Sequence, residues 1–318
     1  MRIKLTTGYP SWQGTRQIPH LKMVWGDCQF LINQPCQECE AWVVLQSTKG
    51  LLEQESTECP PENLVLVTRE PPDMMTWHPR YLQQFGLVVS CHSMLNHPNV
   101  LLTQHGQIWH LANHSYDQLS EIQPGLKSKQ ISVICSNKTY TPGHRARLRL
   151  LEVLKKHFKQ LNVFGQGLNP IADKWDGIYP YQYHLVLENG RFPHYWTEKL
   201  TDAYLGYAFP IYSGCPNLED YFSSQSFLKI NPEEIDQTIH MIEQAISTHQ
   251  YERSLAAITE ARNLILNRYN LFPMLTELCH RLPGDTRQKV TLQPDFKFKP
   301  PLYNRLGRAF KQLHLGGK

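Results

Sequence analysis

No apolar run in this 318-residue chain approaches the roughly eighteen residues that a membrane-spanning helix needs, and none follows the basic residues of its opening MRIKLTTGYP. A soluble protein made in a cytoplasm is the expectation. Charge of one sign is equally scarce. Thirty-two Lys and Arg stand against 28 Asp and Glu, the formal net charge is +4, and the basic residues are spread along the chain, so no continuous field for a nucleic-acid backbone exists. A discrete anion fits that balance better than a polyanion.

Cysteine is too sparse for a disulfide framework: eight in this length, with Cys91, Cys135 and Cys215 in or beside apolar strand-like runs where a buried thiol is ordinary. The group Cys28, Cys36, Cys39 and Cys59 includes a Cys-x-x-Cys but lacks the second paired knuckle of a zinc ribbon, so the expectation is unligated thiols and no metal. Several catalytic signatures are missing as well. There is no Walker-type lysine loop and no His-Glu-x-x-His, and GQGLNP at 165–170 offers two glycines without the rest of a dinucleotide fingerprint. A nicotinamide enzyme is therefore disfavoured. The Asp-x-Asp triplet through which metal-dependent sugar transferases hold a diphosphate is absent too. A diphosphate bound here must be held by helix ends and cations; no cofactor is required on this reading, and a divalent ion is at most stimulatory.

What is present is an alternation of short β-branched runs with amphipathic segments from about residue 130, which predicts a parallel sheet in an α/β fold. ISVIC, LNVFG, YHLVLE, FPIY and SFLKI read as strands. Residues 145–159 carry Leu148, Leu151, Leu154 and Phe158 at helical spacing, a second helix begins near Thr197, and a third from Pro232 places Ile235, Ile239, Ile242 and Ile246 on one face. The first 125 residues add strand candidates at AWVVLQ, NLVLVTR, GLVVSCH and NVLLTQ, with a short helix over 80–85. A polar stretch around 115–129 is the expected linker, which predicts a first domain at 1–125, a second at 126–290 and a basic tail at 291–318. Leu302, Leu306, Phe310 and Leu313 share one face of that tail beside Arg305, Arg308 and Lys311. Such a helix rests on anionic lipid or packs back across the first domain, and the pattern serves both.

Open parallel sheets bind ligands at the carboxyl ends of their strands. After YHLVLE come Asn189, Gly190 and then a helix capped by Thr197, with Glu198 and Lys199 in its first turn. A lysine there opposes the helix dipole, which fits a bound anion or a solvated side chain. Arg145 stands in the same relation to ISVIC. Two cations from two helix starts would stabilise the charge that develops on a departing diphosphate.

The run YHLVLENGRFPHYWTEKLTDAYLGYAFPIYSGCPNLEDYFSSQSFLKI resembles the donor-binding motif of glycosyltransferase family 10, the α1,3/4-fucosyltransferases, in a soluble bacterial form. Glu-Asn, Tyr-x-Thr-Glu-Lys, Ala and Pro-Ile-Tyr-x-Gly occur in the family's order and spacing. ICSNKTYTPGHRARLRLLEVL is similar to its Ser-Asn turn and arginine-bearing helix. Two positions depart from the pattern: Leu187 replaces the phenylalanine before Glu-Asn, and Gly190 the serine after it.

The resemblance implies a GT-B fold of two facing Rossmann-like domains, with GDP-fucose on the second and the acceptor, an oligosaccharide or glycolipid, on the first. It assigns Arg145 and Lys199 to the diphosphate and Asn189, Tyr195 and Glu198 to other donor contacts, with Glu188 structural. It also implies inversion at the anomeric carbon, which needs a base; Glu70, at the end of NLVLVTRE, matches the family's strand-end glutamate, with Asp73 in reserve. His92, His97, His105, His110 and His114 fit no metal motif and are read as loop residues, some lining the acceptor pocket. A different nucleotide sugar, or a non-catalytic glycan- or membrane-binding relative, is the alternative.

Overall fold

The computed structural model describes residues 1–9, 12–46, 49–137, 139 and 142–298. The basic segment 301–318 lies outside the described residues. Two units divide the chain: Met1–Trp12 with Asp27–Leu102 and Leu278–Lys318 form the first, and Gln13–Gly26 with Thr103–Glu277 form the second.

In the first unit six parallel strands, β1 (Arg2–Thr7), β2 (Cys28–Ile32), β3 (Ala41–Gln46), β4 (Leu64–Thr68), β5 (Leu87–Ser90) and β6 (Val100–Leu102), run in the spatial order β2-β1-β3-β4-β5-β6. Every residue of β3 and β4 is buried. That is why AWVVLQ and LVLVT read as continuous apolar runs rather than alternating ones: both faces of a parallel sheet are covered. Trp42, Leu66, Tyr81 and Val88 meet in one cluster on this sheet, Tyr81 coming from the short helix α1 (Pro79–Leu82).

The second unit has five parallel strands, β7 (Lys129–Ile134), β8 (Leu161–Phe164), β9 (Tyr181–Leu187), β10 (Phe209–Ser213) and β11 (Leu228–Lys229), in the order β8-β7-β9-β10-β11. Helix α2 (Tyr116–Glu121) precedes β7, α3 (Pro142–His157) joins β7 to β8, α4 (Glu198–Leu205) follows β9, and α5 (Ile235–Ser247) follows β11. The helical faces read from sequence are the ones that pack: Leu151, Leu154 and Phe158 are buried against Ile131, Val133 and Leu185, while Ile242 is buried with Ile235, Ile239 and Ile246 partly so. The expected α/β class is observed, with two parallel-sheet units in one chain.

The division between the units differs from the sequence boundary at 125 and falls instead at 102/103. The polar stretch is no linker. Ser115 and Gln118 close a capping box on α2, Leu119 is buried in the core of the second unit, and Lys127 donates to the carbonyls of Tyr179 and Gly206. A few well-placed anchors hold a segment whose average composition reads as a loop. The chain after residue 278 returns to the first unit because Gln288–Leu292 pairs antiparallel with Glu55–Cys59. Among the described residues no helix is long and apolar enough to cross a membrane.

Candidate active site

In the second unit β7 lies between β8 and β9, so the chain leaves the sheet on opposite sides from two adjacent strands. The carboxyl ends of strands at such a switch point are where an open α/β sheet takes its ligand. Ser136 stands beyond β7, and Glu188 and Asn189 directly follow β9. Arg147, in α3, spans the two: its Nη1 donates to Asn189 Oδ1 at 2.6 Å, and its Nη2 to the carbonyl of Ser136 at 3.2 Å and Ser136 Oγ at 3.1 Å. The side chain is buried, yet its Nε has no hydrogen-bond partner among the described residues.

Arg145 does not take this place. It is exposed, and its Nη1 donates to the carbonyl of Thr139 at 3.0 Å. Two residues along a helix turn the side chain through about 200°, so Arg145 and Arg147 occupy opposite faces. Of the two, Arg147 is the one that reaches Ser136 and Asn189.

Glu188 is the anchor on the β9 side. Its Oε1 accepts from the backbone N–H of Thr197 and from Thr197 Oγ1, each at 2.9 Å, and its Oε2 accepts from Lys199 Nζ at 3.0 Å. A buried carboxylate thus satisfies the N-terminus of α4 and fixes the ammonium of the residue that opposes the helix dipole. Burial works against the charge on Lys199, but Glu188, and Glu198 at 3.5 Å, outweigh it and hold the group above its ordinary value. Arg147 acts on Lys199 in the opposite sense, cation against cation. Burial also pushes the Cys135 thiol up, against the pull of both Arg147 and Lys199. The two cations therefore share one neighbourhood around the end of β7.

Glu198 lies 3.5 Å from Lys199 and 4.0 Å from Lys174 Nζ, with His110 Nδ1 also at 4.0 Å. Burial opposes its charge, yet these neighbours keep its carboxyl well below the usual carboxylate range. Lys174 is shared with Asp202, at 2.9 Å, whose other oxygen accepts from the His110 backbone N–H. Tyr195 is buried, tilted against His105 with ring centroids 6.2 Å apart and edge-on to Phe192 at 6.5 Å. The structure thus groups Asn189, Glu198 and Lys199 with Arg147, and buries Tyr195 two residues before the cap of α4.

The strand-end glutamate is described within the first unit. Glu70 is half-buried just beyond β4, and its carbonyl accepts from His92 Nε2 at 2.7 Å. His92 follows β5, is buried, and meets the Trp77 ring edge-on at 4.9 Å; burial lowers its basicity against the pull of the Glu70 carbonyl and Asp73. Asp73 itself is exposed.

Residues 125–290, just over half of the chain, match the family model for the C-terminal part of glycosyltransferase family 10, the fucosyltransferases. The chain belongs to glycosyltransferase family 10. A fucosyltransferase-like protein of Arabidopsis thaliana is 27% identical over 210 residues, which is 60% of this family-10 chain and 39% of that relative. The chain thus spans about two fifths of that relative's length. Among solved structures, an α1,3-fucosyltransferase with GDP-fucose is 15% identical, covering 85% of this chain and 92% of its own with a TM-score of 0.48. The Anabaena protein HepE in complex with UDP is 10% identical, covering 89% and 99%, with a TM-score of 0.49.

Two residues of this family-10 chain escaped sequence reasoning. Arg147 stands in HRARLR, where three arginines alternate; only the position of the buried leucines marks the face that turns inward. His92 was one of five crowded histidines, and nothing local separates it from the others. The glycine of Pro-Ile-Tyr-x-Gly, by contrast, has a direct physical reason. A Cβ on Gly214 would stand 2.4 Å from the Tyr212 hydroxyl and 2.5 Å from Glu188 Cγ. Gly214→Ala is expected to displace the carboxylate that holds Lys199, lowering stability by about 1–3 kcal/mol and weakening donor binding. Chemical denaturation and donor titration check it, and an unchanged affinity would remove Gly214 from the argument.

Proposed function

We propose that this family-10 chain is an inverting transferase that moves L-fucose from GDP-fucose to a hydroxyl of an acceptor glycan, such as N-acetylglucosamine or glucose within a surface glycan or lipopolysaccharide. The observation that carries the reading is that Arg147 and Lys199 share the switch point of the second unit, one with an Nε that has no partner among the described residues and the other pinned by a buried carboxylate. As the sugar bond breaks, negative charge collects on the diphosphate oxygens. Donors already fixed in place stabilise it without reorganising, and arginine adds planar, two-point recognition. Because Glu188 holds Lys199 in its charged form, the site keeps that cation throughout neutral pH.

In this reading Asn189, Tyr195 and Glu198 surround the donor. Asn189 has a second task, since its side-chain oxygen orients the Arg147 guanidinium. Glu70 takes the proton from the attacking hydroxyl, and His92 fixes its main chain from the neighbouring strand end. Deprotonation by a positioned carboxylate is worth about a hundred- to ten-thousandfold, so Glu70→Gln is expected to lose that much turnover with little change in donor affinity. Full turnover in that variant would move the base elsewhere.

The test of the whole reading is a coupled assay of nucleoside diphosphate release from GDP-fucose, GDP-mannose and UDP-sugars against short oligosaccharides. Thermal-shift measurements with the same donors run beside it. GDP release from GDP-fucose that depends on an acceptor is the expected result. Stabilisation and turnover with a UDP-sugar alone would end the fucose assignment while leaving the family intact.

A further inference from the structure

We propose that Asp27, Cys28 and His280, in the first unit, form a binding site for a single zinc-class divalent cation. Sequence spacing grouped Cys28 with Cys36, Cys39 and Cys59, but the structure gives Cys28 different company. Cys36 donates to the carbonyl of Glu38, and Cys39 and Cys59 are hydrogen-bonded to one another. Around the Cys28 sulfur stand instead a carboxylate and an imidazole, and the three ligand atoms lie within 4.8 Å of one another. Among the described residues this is the group of three such donors that meets so closely.

The distances match what a tetrahedral ion imposes. Zinc bonds of about 2.3 Å to sulfur and about 2.0 Å to nitrogen and oxygen separate a sulfur from an oxygen by about 3.5 Å, and a nitrogen from an oxygen by about 3.3 Å. Asp27 Oδ1 lies 3.8 Å from Cys28 Sγ and 3.0 Å from His280 Nε2. Each separation is within a few tenths of an ångström of the requirement. One oxygen serves both spacings, and the sulfur and the imidazole nitrogen lie within 4.8 Å of each other. A thiolate, an imidazole and a carboxylate select a borderline-soft ion such as zinc, whereas magnesium and calcium take oxygen donors. Asp27 and His280 are exposed and Cys28 is buried, which gives the ion an open approach and leaves its fourth position to water.

The site has a structural rather than a catalytic position. Cys28 begins β2, whereas Glu70 and His92 follow the carboxyl ends of β4 and β5; in a parallel sheet these are opposite edges. His280 directly follows the helix Leu271–Cys279 and lies 253 residues beyond Asp27. An ion there closes a very long loop and ties the returning chain to the sheet of its own unit. On binding, the Cys28 thiol gives up its proton to solvent, so uptake releases about one proton per ion at neutral pH.

The experiment uses the full chain after treatment with a chelator, titrated with Zn2+ and then Co2+. The expected result is one equivalent of each, a rise in Tm with Zn2+, and a sulfur-to-cobalt charge-transfer band in the near ultraviolet. His280→Gln and Asp27→Asn alter exposed side chains and should keep the apo circular dichroism spectrum, yet weaken Zn2+ binding by about tenfold or more. Cys28→Ser should remove the charge-transfer band. Undiminished affinity in both exposed variants, no binding by the parent chain, or a band that survives Cys28→Ser and disappears with Cys36→Ser would overturn the assignment.

Discussion

Arg147→Ala is expected to lower kcat with GDP-fucose by about a hundred- to a thousandfold, while Arg145→Ala, two positions earlier on the same helix, leaves it unchanged. The contrast rests on helix phase. Arg147 is buried and bridges the ends of β7 and β9 through Ser136 and Asn189, whereas Arg145 is exposed and bonded to a neighbouring loop carbonyl. Arg147→Lys keeps the charge but not the fork, so it should recover only part of the loss. Steady-state kinetics on the three variants decide the matter. A large loss in Arg145→Ala with none in Arg147→Ala would reverse the assignment.

The second large effect belongs to Lys199→Ala, which should combine a similar loss of turnover with a loss of stability of about 3–5 kcal/mol. The stability term arises because Glu188 is fully buried and would lose the cation paired with it at 3.0 Å. Its bonds from Thr197 remain, which places the effect toward the lower end of that range. A paired substitution separates the two roles. Lys199→Met with Glu188→Gln removes the stranded charge together with its partner, so denaturant unfolding should show most of the stability regained while turnover stays lost. If turnover returned with stability, Lys199 would be a structural residue and the diphosphate reading would fall.

Much of the fold was legible because its signals are local. YHLVLE, AWVVLQ and LVLVT are continuous apolar runs because parallel strands are covered on both faces, and each became a strand within a residue or two of its expected bounds. The Thr197 cap with Lys199 in the first turn of α4 was legible for a similar reason, and the structure adds Glu188 as the carboxylate that holds both. These residues lie within one strand-to-helix connection, so the strand end and the cap of α4 bring them together without help from distant chain.

What failed depended on contacts between distant residues. The expected linker at 115–129 looks like a loop by composition, but Leu119 and Lys127 anchor it to the second unit. Residues 13–26 join the second unit and residues after 278 the first. Neither grouping has a marker in its own segment, since the pairing of Gln288–Leu292 with Glu55–Cys59 is a property of both partners at once.

The sequence by itself determined the α/β class, most strands and helices, the family and the Thr197 cap of α4 with Lys199 in its first turn, because hydrophobic periodicity, capping and short connections are written in neighbouring residues. Only the tertiary structure decided which arginine turns toward Asn189, which histidine meets Glu70 and which donors surround Cys28. Helix phase against a sheet, and encounters across hundreds of residues, follow from how the whole chain buries its apolar surface rather than from any single stretch of it.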